Sequence, residues 1–243
     1  MIGTYLKMNI KAMVNFRLDF IISNLTMLIT NFLFMGAILY LAYQTEGFGL
    51  LTFEEFIFSF AVGNIAYILA LNFFSGLTKM QQTIISGDFD KLLLRPISAY
   101  THILFHKINP FALAEILTAI IFLVLVPVTQ WPLLFFFSLC SAVILHYTIV
   151  AYNTLPFYID MNSDVHFWDL LVTFLFYPTY MTNAITKFFS FVVFPGALVT
   201  FGPVLSMKFP LVGLLYFGYL VGIVIIATIL FKKGLKRYRS AGY

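Results

Sequence analysis

The sequence predicts an all-α polytopic membrane protein: an N-terminal interfacial helix, six transmembrane helices and a re-entrant helix pair before the last span. Three observations carry that prediction. First, 61% of the 243 residues are hydrophobic and only 10% are charged, with a mean hydropathy of +0.96. A water-soluble domain of this size has no core large enough to hide that much apolar side chain. Second, several apolar runs reach the roughly 18–20 residues needed to cross a bilayer. They are continuous rather than alternating, which argues against a β-barrel. Third, the basic residues fall almost wholly between alternate runs.

The elements follow in order. Residues 1–18 are amphipathic. At helical spacing Ile2, Tyr5, Leu6, Ile10, Met13 and Phe16 share one side, and Thr4, Lys7, Lys11 and Asn15 share the other. Such a helix lies in the membrane interface rather than crossing it. The segment lacks the compact apolar core and small-residue cleavage site of a signal peptide. Six spans are expected at about 20–43, 53–75, 105–128, 133–158, 167–186 and 210–231. The second opens with Thr52-Phe53-Glu54-Glu55, a capping box.

Placing both termini in the cytoplasm puts Lys7, Lys11, Arg17, Lys79, Lys91, Arg95, Lys107, Lys232, Lys233, Lys236, Arg237 and Arg239 inside. Only Lys187 and Lys208 are then outside, the asymmetry that the positive-inside rule favours. The same rule decides a further point. Residues 188–208, FFSFVVFPGALVTFGPVLSMK, are nearly long enough for a seventh span, but that span would carry the KKGLKRYR tail outside. Pro195-Gly196 and Gly202-Pro203 would also break a continuous helix. Residues 187–209 are therefore expected to dip into the outer leaflet and return, packed against other spans near an outward opening. A loop lying on the surface is the alternative.

Much chemistry is absent. The pI of 9.1 reflects the flanks of spans, and no basic stripe suited to nucleic acid occurs. Cys140 is the one cysteine, so neither an internal disulfide nor a zinc motif is available. No GxxxxGK[ST] occurs, so the chain does not itself hydrolyse ATP, and neither GxSxG nor HExxH is found. His102 and His106 are four apart without a clear third metal ligand, and read as interfacial histidines at a helix start. His146 reads as a buried hydrogen-bonding residue. His166, flanked by Asp164 and Asp169, reads as a solvated loop histidine. Glu115 is the one acid well inside an expected span, where an ionisable group marks a functional position. A salt bridge to Lys107 or a hydrogen bond to a partner helix would account for it equally well. Asn24, Asn31, Asn64, Asn72 and Asn153 are polar within spans and either bond between helices or line a path.

The longest inner loop, 76–101, carries a dense polar stretch, Ile84 to Ser98. Gly87 permits a sharp turn, and Asp88 is positioned to cap the helix that follows. Phe89-Asp90-Lys91-Leu92-Leu93-Leu94 makes a short helix, which Pro96 ends by forcing Arg95 out of helical geometry. Such a rigid, apolar-tipped helix suits a groove in a cytoplasmic partner. A plain surface loop whose basic residues meet lipid headgroups is the other reading.

GDFDKLLLRPIS resembles the G-x-(L/F)-D-x-L-L-x-R-P signature of the permeases of type-2 ABC exporters, the ABC-2 family transporter proteins. Three further segments agree in order. Trp168 followed by Tyr177-Pro178 resembles that family's aromatic-to-YP stretch. VVFPGALVTFGPVLSM resembles its two-proline segment, with Pro195 and Pro203 in place. GLKRYRSAGY resembles its closing G-x-x-x-Y-x-S-A-G. Phe194 departs from the aliphatic residue usual before the first proline.

The resemblance implies a membrane subunit in a bacterial-type plasma (inner) membrane. It would pair with a second permease chain, identical or related, and with two ABC ATPase subunits that bind the ATP and Mg. No cofactor or metal is expected in this chain. Gly87, Asp88, Phe89, Asp90, Leu93, Arg95 and Pro96 would form the coupling helix. Phe89 and Leu93 would be buried in the ATPase groove, with Asp90 and Arg95 as polar anchors. Pro195, Gly196, Gly202 and Pro203 would form an outer gate, and Asn31, Asn64 and Glu115 are the polar positions of a pathway between chains. The 30 phenylalanines and 14 tyrosines favour amphipathic or lipid-like cargo over sugars or ions, although filling an ordinary membrane core accounts for most of them. An ion-coupled secondary transporter or channel is the alternative, and it would require acids or histidines at mid-membrane, where only Glu115 and His146 qualify. An intramembrane enzyme would need a cluster of polar catalytic groups at one depth, and none is found.

Overall fold

The computed structural model describes residues 17–72, 74–94, 96, 98–105, 112–159 and 167–238, with the isolated positions 3, 7 and 11. Most of the expected interfacial helix lies outside the described residues, as do Arg95, His106, Lys107, Asp164, His166 and the tail beyond Tyr238.

Helix α1 (Arg17–Gln44) runs 28 residues, and Asn24, Asn31, Met35 and Ala42 form its only buried stripe. It turns through Glu46 and Gly47, both at positive φ. A two-stranded antiparallel hairpin follows, β1 (Gly47–Phe48) on β2 (Leu51–Thr52), which the all-α reading did not foresee. Helix α2 (Phe53–Tyr67) then begins with the expected capping box. The Thr52 N–H donates to Glu55 Oε2 at 2.8 Å, and the Glu55 N–H donates to Thr52 Oγ1. It continues as a π-helical turn, Ile68–Asn72.

A 3₁₀ turn, Ser75–Lys79, leads into three short helices: α3 (Met80–Ile85), α4 (Phe89–Leu93) and α5 (Ala99–Phe105). Helix α6 (Ala112–Leu125) precedes α7 (Trp131–Asn153), which ends in a 3₁₀ turn, Leu155–Phe157. Then come α8 (Phe167–Phe176), α9 (Ala184–Phe188) with a π turn (Phe189–Val193), α10 (Gly196–Thr200), α11 (Gly202–Lys208) and α12 (Pro210–Arg237).

Among the described residues, four helices are long and apolar enough to cross a membrane: Arg17–Gln44, Phe53–Asn72, Val128–Phe157 and Pro210–Arg237. The other two expected spans do not appear as such long helices among the described residues. The third is described only from Ala112 onward. The fifth, expected to continue to 186, stops at Phe176. Pro178 is the reason, because it offers no N–H and disfavours helical geometry at Tyr177.

Helix α7 is the centre of the fold, with α2 on one side and α12 on another, while α6 joins α2 to α1. Burial follows that order. Over its most apolar stretch α2 is 72% buried, whereas α1 and α12 are 11% and 17% buried. A helix apolar all round belongs in the interior, and the aromatic rings of α2 meet their partners there. Phe56 and Phe60 are fully buried, and both contact Phe201, which lies between α10 and α11. Phe60 also meets Phe122 of α6 and Phe176 of α8. In lipid, close fit rather than exclusion of water holds helices together, so this interlocked ring cluster is the main clamp.

Candidate functional site

Two irregular regions and one buried polar cluster carry the candidate functions. The first is the wedge α3–α5. Gly87 has φ of +76°, a conformation that favours glycine, and this bend starts α4. Asp88 does not cap the helix as expected. Its backbone is already helical, and its carboxylate accepts instead from Lys91 Nζ at 2.6 Å and from Ser86 Oγ at 3.2 Å.

The orientation of α4 also differs from the expectation. Phe89 is fully buried in the protein itself, with its ring 5.4 Å from Phe157 and 4.9 Å from Tyr238. Those rings lie at the ends of α7 and α12, and Phe157 also meets Phe231 of α12. Phe89 is therefore an inward pin and not an outward anchor. The apolar tip presented outward is Leu93 and Leu94, which are 48% and 86% exposed. Asp90 is half-buried beside Tyr238. Burial first, and the Asp90 carboxylate second, push the Tyr238 hydroxyl up to about 12. Pro96 is exposed.

A polar cleft of ≈420 Å³ opens beside the wedge, lined by Lys79, Thr83, Ser86, Asp88, Lys91 and His102. His102, expected at the interface, is only 1% exposed, because α5 packs on the Ser75–Lys79 turn.

The second region is the Gly/Pro-broken hairpin, α9–α11. Pro195 caps α10, and Pro203 lies in the first turn of α11, where proline's missing N–H costs nothing. From Ala197 to Leu205, every hydrophobic residue named in the core is at most 5% exposed. Breaks in the ladder free carbonyls, and protein hydroxyls meet them. Ser141 of α7 donates to Val199 O at 2.7 Å, Tyr219 of α12 donates to Val192 O at 3.1 Å, and Tyr152 donates to Val193 O. Phe194 sits in a ring stack with Tyr152 and Phe167, so its aromatic character has a local use. Between the hairpin and α12 lies an apolar groove of ≈590 Å³, bordered by Tyr180, Lys187, Phe191, Leu205 and Tyr219. Sequence reasoning missed the hydroxyls of Ser141, Tyr152, Tyr216 and Tyr219. Their signal was present as polar groups inside apolar helices opposite a Gly/Pro-broken segment.

The third element is the polar cluster on α1, α2 and α6. The Asn31 amide donates to Thr118 Oγ1 at 3.2 Å, and the Ala114 N–H donates to Asn24 Oδ1 at 2.9 Å, so both asparagines tie α1 to α6. Asn64 donates within its own helix to Phe60 O, and more weakly to the Met35 sulfur. Glu115 is 4% exposed and faces Asn31. His146, half-buried rather than buried, bonds the Tyr100 hydroxyl at 2.6 Å, the hydrogen-bonding role expected of it.

The family model described as ABC-2 family transporter protein matches residues 25–242. No curated protein and no solved structure matches the chain.

Proposed function

Because this chain belongs to the ABC-2 family transporter proteins, we propose that it is the membrane-spanning subunit of an ATP-driven exporter. It is a multi-pass membrane permease. In this reading it pairs with a second permease chain, identical or related, and with two ABC ATPase subunits. Those subunits bind ATP and Mg and hydrolyse the nucleotide. The complex moves an amphipathic or lipid-like substrate out of the cytoplasm across a bacterial-type inner membrane, with both termini of this chain inside.

The observation that carries this reading is the wedge. Leu93 and Leu94 form an exposed apolar tip, and the same helix drives Phe89 into rings at the ends of α7 and α12. A partner that grips the tip pulls on the two helices that frame the core. Closure of the ATPases would tilt α4, and the Phe89–Phe157–Tyr238 cluster would carry that tilt to the hairpin, which bonds to both α7 and α12. Pro195, Gly196, Gly202 and Pro203 bound the segment that would act as the outer gate.

The test replaces Leu94 and Leu93 by alanine, singly and together. An apolar anchor truncated at an interface costs about 1–4 kcal/mol of binding. The expected outcome is loss of ATPase co-purification and of ATP-dependent export while the permease stays folded. Undiminished co-purification by the double variant would overturn the assignment of the wedge.

A further inference from the structure

Glu115 is the buried acid that the coupling mechanism leaves unused. It opens onto a cavity of ≈230 Å³ between α1, α2, α6 and α8, with Asn31, Phe34, Tyr67, Phe176 and Tyr177 among the lining residues. Four features define what this cavity can hold.

The first is charge. A buried carboxylate is costly unless it is paired. Among the described residues the ion pairs are Lys91–Asp88 and Lys208–Glu55, and neither involves Glu115. In its ionised form Glu115 favours a cation in this cavity.

The second is ligand supply. Thr30, Thr118 and Thr173 already donate to the carbonyls of Thr26, Ala114 and Asp169. Among the described residues no group of three His, Cys, Asp or Glu side chains could hold a metal ion. A hard cation such as calcium is held mainly by carboxylate and carbonyl oxygens, and Glu115 supplies the one carboxylate among the lining residues.

The third is the wall. The rings of Phe34 and Tyr177 meet edge to face at 5.4 Å, and Tyr67 and Phe176 add further aromatic surface. Aromatic faces attract organic ammonium groups.

The fourth is size and neighbourhood. At ≈230 Å³ the cavity is below the roughly 300–1,000 Å³ of sites that enclose a whole drug-sized ligand, and it suits a headgroup. Asn31 and Met35 also border a second, smaller apolar cavity of ≈70 Å³ between α1 and α6, lined further by Leu39, Phe122 and Leu125.

We propose that this cavity takes the ammonium head of an amphipathic cation, with Glu115 as counter-charge, the rings as walls and the α1–α6 groove as the path of the tail. The inference names a substrate class for the permease reading and rests on it.

The test measures saturable binding of radiolabelled dodecyltrimethylammonium to the full chain in lipid nanodiscs, with lipid-only discs subtracted. The expected result is saturable binding that dodecyl sulfate and sodium chloride do not displace. Glu115→Gln should weaken it at least about thirty-fold, the effect of leaving a buried charge without its partner. Glutamine keeps the shape and hydrogen bonds of a protonated acid. Equal binding by the variant would therefore mean that Glu115 is only a neutral partner of Asn31, and would overturn the proposal. Displacement by sodium would overturn it in favour of an inorganic cation. Should Glu115→Gln fail to fold, Tyr177→Leu decides the matter. That residue is 47% exposed, and losing its ring should weaken binding about two- to five-fold; unchanged binding would overturn the proposal.

ATP-dependent export by the complex with its ATPase is measured separately. Export that persists without Glu115-dependent binding overturns the cation site alone. Glu115-dependent binding in a chain that recruits no ATPase supports the site and overturns the exporter reading.

Discussion

The hairpin α9–α11 and the wedge α3–α5 use the same materials in different ways. Both are strings of helices a turn or two long, broken by glycine and proline, and too short to be stable alone. The hairpin is held along its central stretch, while α9 is exposed. Its side chains from Gly196 to Leu205 are buried, and its freed carbonyls are taken by Ser141, Tyr152 and Tyr219. The wedge is held at points. In α4, Phe89 and Leu92 are buried while Leu93, Leu94, Asp88 and Lys91 face outward. A segment enclosed at its centre can shift only with its supports. A segment pinned at one side can be gripped on the other and used as a lever.

The sharpest way to break that contrast is to remove the pin. Phe89→Ala deletes a fully buried ring, and such truncations cost about 3–5 kcal/mol. The expected result is a markedly lower thermal midpoint in detergent, together with loss of ATPase-coupled export. A variant that melts with the parent would show that the wedge is not pinned there.

The next effect belongs to the hairpin. A Cβ at Gly196 would lie 2.4 Å from Leu171 O and 2.5 Å from Leu175 N, both backbone atoms of α8. Neither can yield as a flexible side chain would, so Gly196→Ala should destabilise by about 1–3 kcal/mol. The hairpin would then separate from α8, read out as faster protease cleavage near residues 194–201. Parent-like cleavage and melting would show that α8 moves freely. Leu94→Ala should fall at the other extreme, within about 0.5 kcal/mol of the parent in stability, while still abolishing ATPase co-purification.

The contrast also explains what the sequence could and could not convey. The long helices were legible because runs such as Pro210–Arg237 are apolar well beyond the length of a buried soluble helix. The capping box was legible because Thr52 and Glu55 bond to each other's backbone, a strictly local arrangement. The bend at Gly87 and the short helix after it were local too. The face that α4 turns inward was not legible, because FDKLLL has too few turns to show a stripe and both its phenylalanine and its leucines are apolar. Only the position of Phe157 and Tyr238, far away in sequence, decides it. Likewise nothing adjacent to Pro195 announces that Ser141 and Tyr219 supply its neighbours' missing donors. Glu115 was noticed because an acid stands out in an apolar run, whereas the rings that enclose its cavity come from three other helices.

The smallest effect tests whether the exposed side of the wedge holds itself. Asp88 and Lys91 pair at 2.6 Å with both side chains in solvent. Hydrogen bonding to Lys91 holds the Asp88 carboxyl below its ordinary value, and the bond to Asp88 holds Lys91 above its own. The signs follow from linkage. Asp88's contribution is complete above the ordinary aspartate value and is lost as pH falls through its depressed one. Lys91's contribution is complete below the ordinary lysine value and is lost as pH rises through its raised one. Between those limits neither group changes its proton count on unfolding, so the pair adds no pH dependence from about pH 5 to 9. Exposed pairs are also weak and screened by salt. Hydrogen exchange at residues 86–93, corrected for base catalysis, should therefore be flat across that range. Asp88→Asn should raise it only slightly, and far less than Phe89→Ala does. A strong pH dependence, or an Asp88→Asn effect rivalling that of Phe89→Ala, would mean that the wedge is held from its solvent face as well, and the lever would then have no free side for an ATPase to grip.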